Sequence, residues 1–423
     1  MRHILAPRAP VGAGPSVIPT VDTSRDLPSA SVLAVLSAIP PDADVVVVRD
    51  GRSWVIGVEP EQIVLARGEE AFAAVDRLYR GWWAGYLAYD LGRAVEHVTP
   101  RIAEDSGLPD LALARFESRL ILTGEAMRVE GEGPTRPLLE TLARRAAAGP
   151  RPLRYPELRR WTSNVSQETF EAGVREVIRL IKAGECYQVN LTRRLSSPLA
   201  ADPVGLFARL LCENPAPHAG LIRLGSMAVV SASPERFLYR HGEYVETRPI
   251  KGTAAEAHAL STSSKDRAEN VMIVDLARND LGRICAYGSI RVPTLCTVER
   301  HPGLHHLVST VVGRLRPEVE TSRLLRATFP PASVTGAPKP RVLQAIEDLE
   351  VSRRGLYCGA VGWIDADADS LDLNVAIRTF VVTDQGTQLG VGAGIVADSN
   401  PTAEWEETEL KAARLLAAAG HRI

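Results

Sequence analysis

The strongest constraint on the fold is the spacing of apolar residues, which shifts between strand and helix periods along the chain without ever repeating a unit. In DVVVVRDGRSWVIGV two apolar runs flank Asp50-Gly51, a hairpin signature. Ser166 reads as a helix N-cap, and Phe170, Val174, Val177, Ile178 and Ile181 keep a helical spacing until Gly184 closes the segment. In CYQVNLTRR the apolar Tyr187, Val189 and Leu191 alternate with Gln188, Asn190 and Thr192, which predicts a strand with one packed face and one face of hydrogen-bonding groups. SMAVVSAS, YCGAVGWID, NVAIRTFVV and TQLGVGAGI read as further strands among helices, and the mixture implies an α+β architecture.

Three regions follow from the pattern. Residues 1–30 are rich in Pro, Ser and Gly without periodicity and read as a flexible N-terminal arm. Residues 31–150 form a sheet-rich region, and the Pro-rich, Gly-bearing stretch through residues 130–160 marks a boundary before a second domain at 160–423. With 49 Lys plus Arg against 51 Asp plus Glu, the chain has no global attraction for nucleic acid or an anionic membrane. Five scattered cysteines without a C-x-x-C pair argue against zinc, iron-sulfur or thiol redox chemistry. No signal peptide or membrane-length apolar run is present, so the expected location is cytoplasmic.

Chemistry-bearing residues concentrate in the second region. Asp266 and Glu269, and again Glu404 and Glu407, stand at i, i+3; on helices each pair shares a face, with Lys411 one turn beyond Glu407. Asn400 and Pro401 supply a cap and first position for the second helix. Oxygen ligands without His or Cys suit magnesium, whereas spacing alone equally describes solvated surface faces. The nearly continuous apolar run from Val271 to Ala277 favours a helix buried on most sides. Gly390, Gly392 and Gly394 follow a strand and offer backbone amides to an anion. Gly336 and Lys339, in FPPASVTGAPKPR, are further candidates for contacting a negative ligand, or else simply a turn before a helix. His306 begins an apolar strand, as an acid/base group or as a core histidine. Lys251, between Pro249 and Gly252, is either exposed or a nucleophile of lowered pKa.

The segments AGECYQVNL, SASPERF, ETRPIKGT, KDRAENVMIVDLARNDLGR, HHLVSTVVG, FPPASVTGAPKPR, RGLYCGAVGW, AIRTF and GAGIVADSNPTAEWEETELKA, taken in order, resemble the chorismate-utilising family of anthranilate, aminodeoxychorismate, isochorismate and salicylate synthases. The resemblance spans roughly residues 165 to 415 and implies a two-sheet β-sandwich flanked by helices, with the active site in an internal cleft. It also implies particular roles. Lys251 in PIKGT, where anthranilate synthases typically have alanine, resembles the lysine that attacks chorismate in the aminodeoxychorismate branch, after which ammonia displaces it. Glu235 resembles the general acid and base, with His306 supporting the leaving side. Gln188 stands where isochorismate and salicylate synthases carry a water-activating lysine. Glu269 and Glu407 are implied magnesium ligands, with Asp266 and Glu404 behind them. Thr253, Gly336, Lys339, Tyr357, Arg378, Gly392, Gly394 and Lys411, with Gln188, are implied to line the substrate site.

The chain has no G-x-C-x-G amidotransferase nucleophile, so the resemblance implies ammonia from a separate glutamine amidotransferase subunit, or free ammonia. With no lyase segment after Ile423, aminodeoxychorismate is the expected product. Two alternatives remain at this stage: an anthranilate synthase component, which Lys251 speaks against, and a non-catalytic chorismate-binding subunit, against which Glu235, Glu269 and Glu407 stand.

Overall fold

Two twisted antiparallel sheets pack face to face, and helices cover their outer sides. The computed structural model describes residues 30–78, 80–105, 107–254, 256–301 and 304–421. The arm expected over residues 1–30 lies outside them apart from Ala30, where the helix Ala30–Ala38 begins. One sheet runs through Gly336–Ala337, Gln188–Ser197, Gly386–Ile395, Thr379–Thr383, Met227–Ser233, His218–Leu224, Val45–Asp50, Ser53–Val58, Arg119–Thr123 and Ala126–Glu130. The other runs through Ile250–Ala254, Leu304–Arg314, Tyr244–Thr247, Arg236–His241, Ser370–Val375, Ala360–Asp365, Trp82–Leu87, Leu111–Phe116 and Gln62–Ala66. Strands from both sides of the 130–160 connection enter each sheet, so the two sequence regions are woven into one sandwich.

The valine run shows how the layers form. In Val45–Asp50, Val45 and Val47 pack beneath the covering helices, whereas Val46 and Val48 fill the space between the sheets with Trp82, Tyr86, Phe116 and Trp363. A strand covered on both faces needs apolar residues at successive positions, not alternate ones. The expected hairpin forms, with Asp50 paired to Ser53 and Gly51 at φ 55°. Among the described residues no helix is long and apolar enough to cross a membrane.

Three local expectations change. Tyr187 precedes its strand and is 70% exposed, while Gln188 and Asn190 are buried with Val189 and Leu191, because this strand too is covered on both faces. The helix Ser264–Gly282 buries Asn270, Ile273, Val274, Ala277 and Leu281 but exposes Val271 and Asp275. It packs chiefly on the strands Ile250–Ala254 and Leu304–Arg314, with further contacts to Arg291–His301, Thr321–Thr328 and Ala332–Val334, and leaves its outer side exposed. NVAIRTFVV is not one strand: Ser370–Val375 and Thr379–Thr383 belong to different sheets, and the chain crosses between them at Arg378, whose φ is 51°.

Candidate active site

Two such crossings, side by side, build the floor of the cleft. Met227–Ser233 lies in the first sheet and Arg236–His241 in the second, so Glu235 sits at a crossing just as Arg378 does. Ser233 Oγ donates to the Val375 carbonyl at 2.6 Å, and the Val375 N–H donates to the Glu235 carbonyl at 3.0 Å. These bonds hold the two crossings together. Glu235 is 4% exposed; its carboxylate accepts from the Ile250 N–H at 3.4 Å and from the Ser333 hydroxyl. Burial pushes its carboxyl up to about 7, against the pull of Ser333, Lys251 and Arg378, so it exchanges protons near neutrality.

Lys251 reaches the same space from the edge of the second sheet. The pairing of Ile250–Ala254 with Leu304–Arg314 slips between Lys251 and Thr253, and Gly252 takes φ 78°. Bulges of this kind re-aim a side chain beside an active site. A Cβ at Gly252 would come within 2.9 Å of Asp266 Cγ, so glycine there lets the acidic helix close on the bulge. A Cβ at Gly394 would lie 2.4 Å from Gln188 Nε2 and 3.3 Å from Lys251 Nζ, which places all three residues around one point. Burial lowers the Lys251 ammonium, and Lys411 adds to this, while Glu269, Glu235 and Glu407 oppose it. A lysine so placed has a larger neutral, nucleophilic fraction than one in water. The buried Gln188 Oε1 has no hydrogen-bond partner among the described residues.

The acidic helices face this lysine. Glu269 is raised first by burial, then by Asp266 and Glu407, against Lys251 and Lys265. Burial also works to raise Glu407, but Lys411, whose Nζ lies 2.6 Å away, and the more distant Lys265 and Lys251 outweigh it, and its carboxyl is lowered. The same Lys411 Nζ donates to the Gly392 carbonyl at 2.9 Å. Glu404 is buried, accepts from Ser399 Oγ at 2.6 Å and is raised by that burial. Among the described residues no three His, Cys, Asp or Glu side chains converge at metal-ligand distance. Two hard carboxylates facing one cleft, Glu269 and Glu407, are nevertheless a donor set that fits magnesium, which commonly takes one or two protein carboxylates and completes its shell with water and ligand oxygens.

The remaining candidates divide. A Cβ at Gly390 would enter the Tyr357 ring at 2.2 Å, so Tyr357 lies along the same glycine strand as Gly392 and Gly394. Arg378 is half-buried, without a hydrogen-bond partner for its guanidinium among the described residues, and is lowered to about 10 by burial and by Arg414. His306 is buried and pairs in register with Thr253. Gly336, at φ 131°, presses its turn against the strand at Gln188, where a Cβ would sit 2.1 Å from the Gln188 carbonyl oxygen. Lys339 points elsewhere: its ammonium bonds Asp280 at 2.6 Å and the Thr328 carbonyl at 2.7 Å in a buried ion pair. Its place at the start of Lys339–Leu349 sends the side chain beneath that helix toward Asp280. Ser333, Lys265 and Arg414 escaped the sequence reading. Ser333 stood inside a motif already singled out, and Arg414 lies seven residues after Glu407 on the same helix face.

The sheet crossings of this α+β sandwich thus bring a buried carboxyl of raised pKa beside Lys251, Arg378 and the two acidic helices. A family model described as chorismate binding enzyme matches residues 39–417, and the chain belongs to that family. It is similar to aminodeoxychorismate synthase component 1 of Klebsiella aerogenes, 38% identical over 348 residues, covering 80% of this chain and 77% of that protein. It is also similar to anthranilate synthase component 1 of Thermus thermophilus, 37% identical over 396 residues, covering 88% of this chain and 86% of that protein. The solved structure of anthranilate synthase component I from Streptococcus pneumoniae superposes with a TM-score of 0.76 at 28% identity, covering 87% of this chain and 92% of that one.

Proposed function

We propose that this chain is the chorismate-aminating component of an aminodeoxychorismate synthase. The observation that carries the reading is Lys251, held beside Gln188 and Gly394 in the field of Glu235, Glu269 and Glu407 with its ammonium lowered by burial. In this reading the neutral Lys251 amine adds to ring carbon 2 of chorismate. Both conjugated ring double bonds shift, and the carbon 4 hydroxyl departs as water with the proton of Glu235. Ammonia then adds at carbon 4, both double bonds return to their first positions, and Lys251 leaves carbon 2. Lys251 becomes a cationic secondary ammonium on adding, with no change in its protons, and leaves as the neutral amine, while Glu235 recovers the proton it gave by taking one from the new ammonium centre at carbon 4. Arg378, Tyr357 and Lys411 grip the substrate carboxylates, and His306 supports the leaving side.

Glu269 and Glu407 would hold magnesium, with Asp266 and Glu404 behind them. The metal would supply positive charge against the ring carboxylate. The relatives' naming as component 1 supports a partner component, read here as a glutamine amidotransferase that delivers ammonia. The similarity to anthranilate synthases, including the solved fold, favours a second reading, release of pyruvate and anthranilate. Incubation with chorismate, magnesium and an ammonium salt, followed by mass spectrometry, separates them. A product that keeps its enolpyruvyl group and becomes 4-aminobenzoate only when a lyase is added supports amination at carbon 4. Anthranilate and pyruvate formed without lyase refute it.

A further inference from the structure

The helix Pro401–Ala418 presents Glu407, Lys411 and Arg414 at i, i+4 and i+7, one continuous face. The Lys411 ammonium is held by both Glu407 and the Gly392 carbonyl, which fixes that face against the glycine strand. Arg414, one turn further on, is exposed and makes no hydrogen bond or ion pair among the described residues. Its charge reaches Arg378, which leads into Thr379–Thr383, the strand paired with the glycine strand Gly386–Ile395 on which this helix packs. Two guanidinium groups in each other's field, with no carboxylate bonded to either, repel, and an arrangement of this kind gains free energy when an anion enters between them. Glu235, the acid beside Arg378, is buried and holds its proton up to about neutrality, so it offers little compensating charge.

We propose that Arg414 is a further substrate-recognition residue, a second guanidinium at the mouth of the cleft that works with Arg378 to capture one carboxylate of a dianionic substrate. The inference rests on the chorismate reading of the site. A planar fork matches a carboxylate, and an exposed cation at the rim also raises the encounter rate of an anion. Half-buried Arg378 contributes fixed geometry, and exposed Arg414 contributes reach.

The test is the dissociation constant of chorismate, measured by calorimetric titration without ammonium in a Lys251→Ala background that forms no covalent adduct, with position 414 wild type, Arg414→Gln or Arg414→Lys. Because Arg414 is exposed, both variants are expected to fold, which circular dichroism checks. The expected result at low ionic strength is binding weaker by about tenfold in Arg414→Gln, a gap that shrinks by several-fold at about 0.3 M salt. Arg414→Lys should stay within about threefold of wild type, since it keeps the charge and loses the fork. Equal affinity of wild type and Arg414→Gln at low salt would overturn the proposal, as would an equal loss in Arg414→Lys that ignores salt. Product identity plays no part in this readout: a chain that forms anthranilate would refute amination and leave the Arg414 comparison standing.

Discussion

Replacing Glu235 by glutamine should make the protein more stable in mild alkali while disabling it. A carboxyl held at about 7 against an ordinary 4.5 prefers its neutral form by about 3 kcal/mol more than in the unfolded chain. Because the folded value is the higher one, the stability linked to this proton is fully present below about pH 4.5 and is lost as pH rises through about 7. An uncharged amide at this position carries no such dependence. Glu235→Gln should therefore gain up to about 3 kcal/mol over wild type at pH 8.5 and almost nothing at pH 4.5. For 423 residues, at about 2 cal/mol/K of unfolding entropy each, that is about 3 °C in melting temperature. Calorimetry at the two pH values is the assay, and turnover should fall by about 10²–10⁴ in the same variant. A difference in stability that is the same at both pH values, or a variant destabilised at pH 8.5, would refute the assignment of a buried, largely neutral carboxyl.

Lys339→Met should cost about 3–5 kcal/mol in chemical denaturation by stranding Asp280 in the interior, and the paired Lys339→Met, Asp280→Leu change should recover much of it. Chorismate affinity of folded Lys339→Met should stay within about twofold of wild type by titration, because the lysine ammonium it removes is committed to Asp280 and Thr328. Gly394→Ala should displace the Gln188 amide, costing about 1–3 kcal/mol in stability and at least about tenfold in turnover. If magnesium is held as proposed, chorismate should bind more weakly after chelation, and Glu269→Gln should abolish most of that magnesium dependence in a titration.

What the sequence made legible was local. Caps at Ser166 and Asn400, the hairpin at Asp50-Gly51 and the shared face of Glu404, Glu407 and Lys411 all follow from rules that act within a few residues, and the structure has them. Motif order supplied the sandwich. The crossings at Glu235 and Arg378 were not legible, because a stretch such as NVAIRTFVV, apolar on both sides of Arg378 and Thr379, looks the same whether it stays in one sheet or passes to the next. Tyr187 was misplaced for a related reason: alternation separates two faces only when one of them meets water, and this strand is covered on both. Lys339 shows a different limit, since the partner that decides its direction, Asp280, is far away in sequence.

The most direct test of the central claim is intact-protein and peptide mass spectrometry of the chain quenched with chorismate and magnesium in the absence of ammonia. The account predicts an adduct of chorismate less water on the peptide containing Lys251, discharged on addition of ammonium and missing in Lys251→Ala, whose amination activity is also lost. No adduct, together with a Lys251→Ala variant that forms product at the wild-type rate, would contradict it.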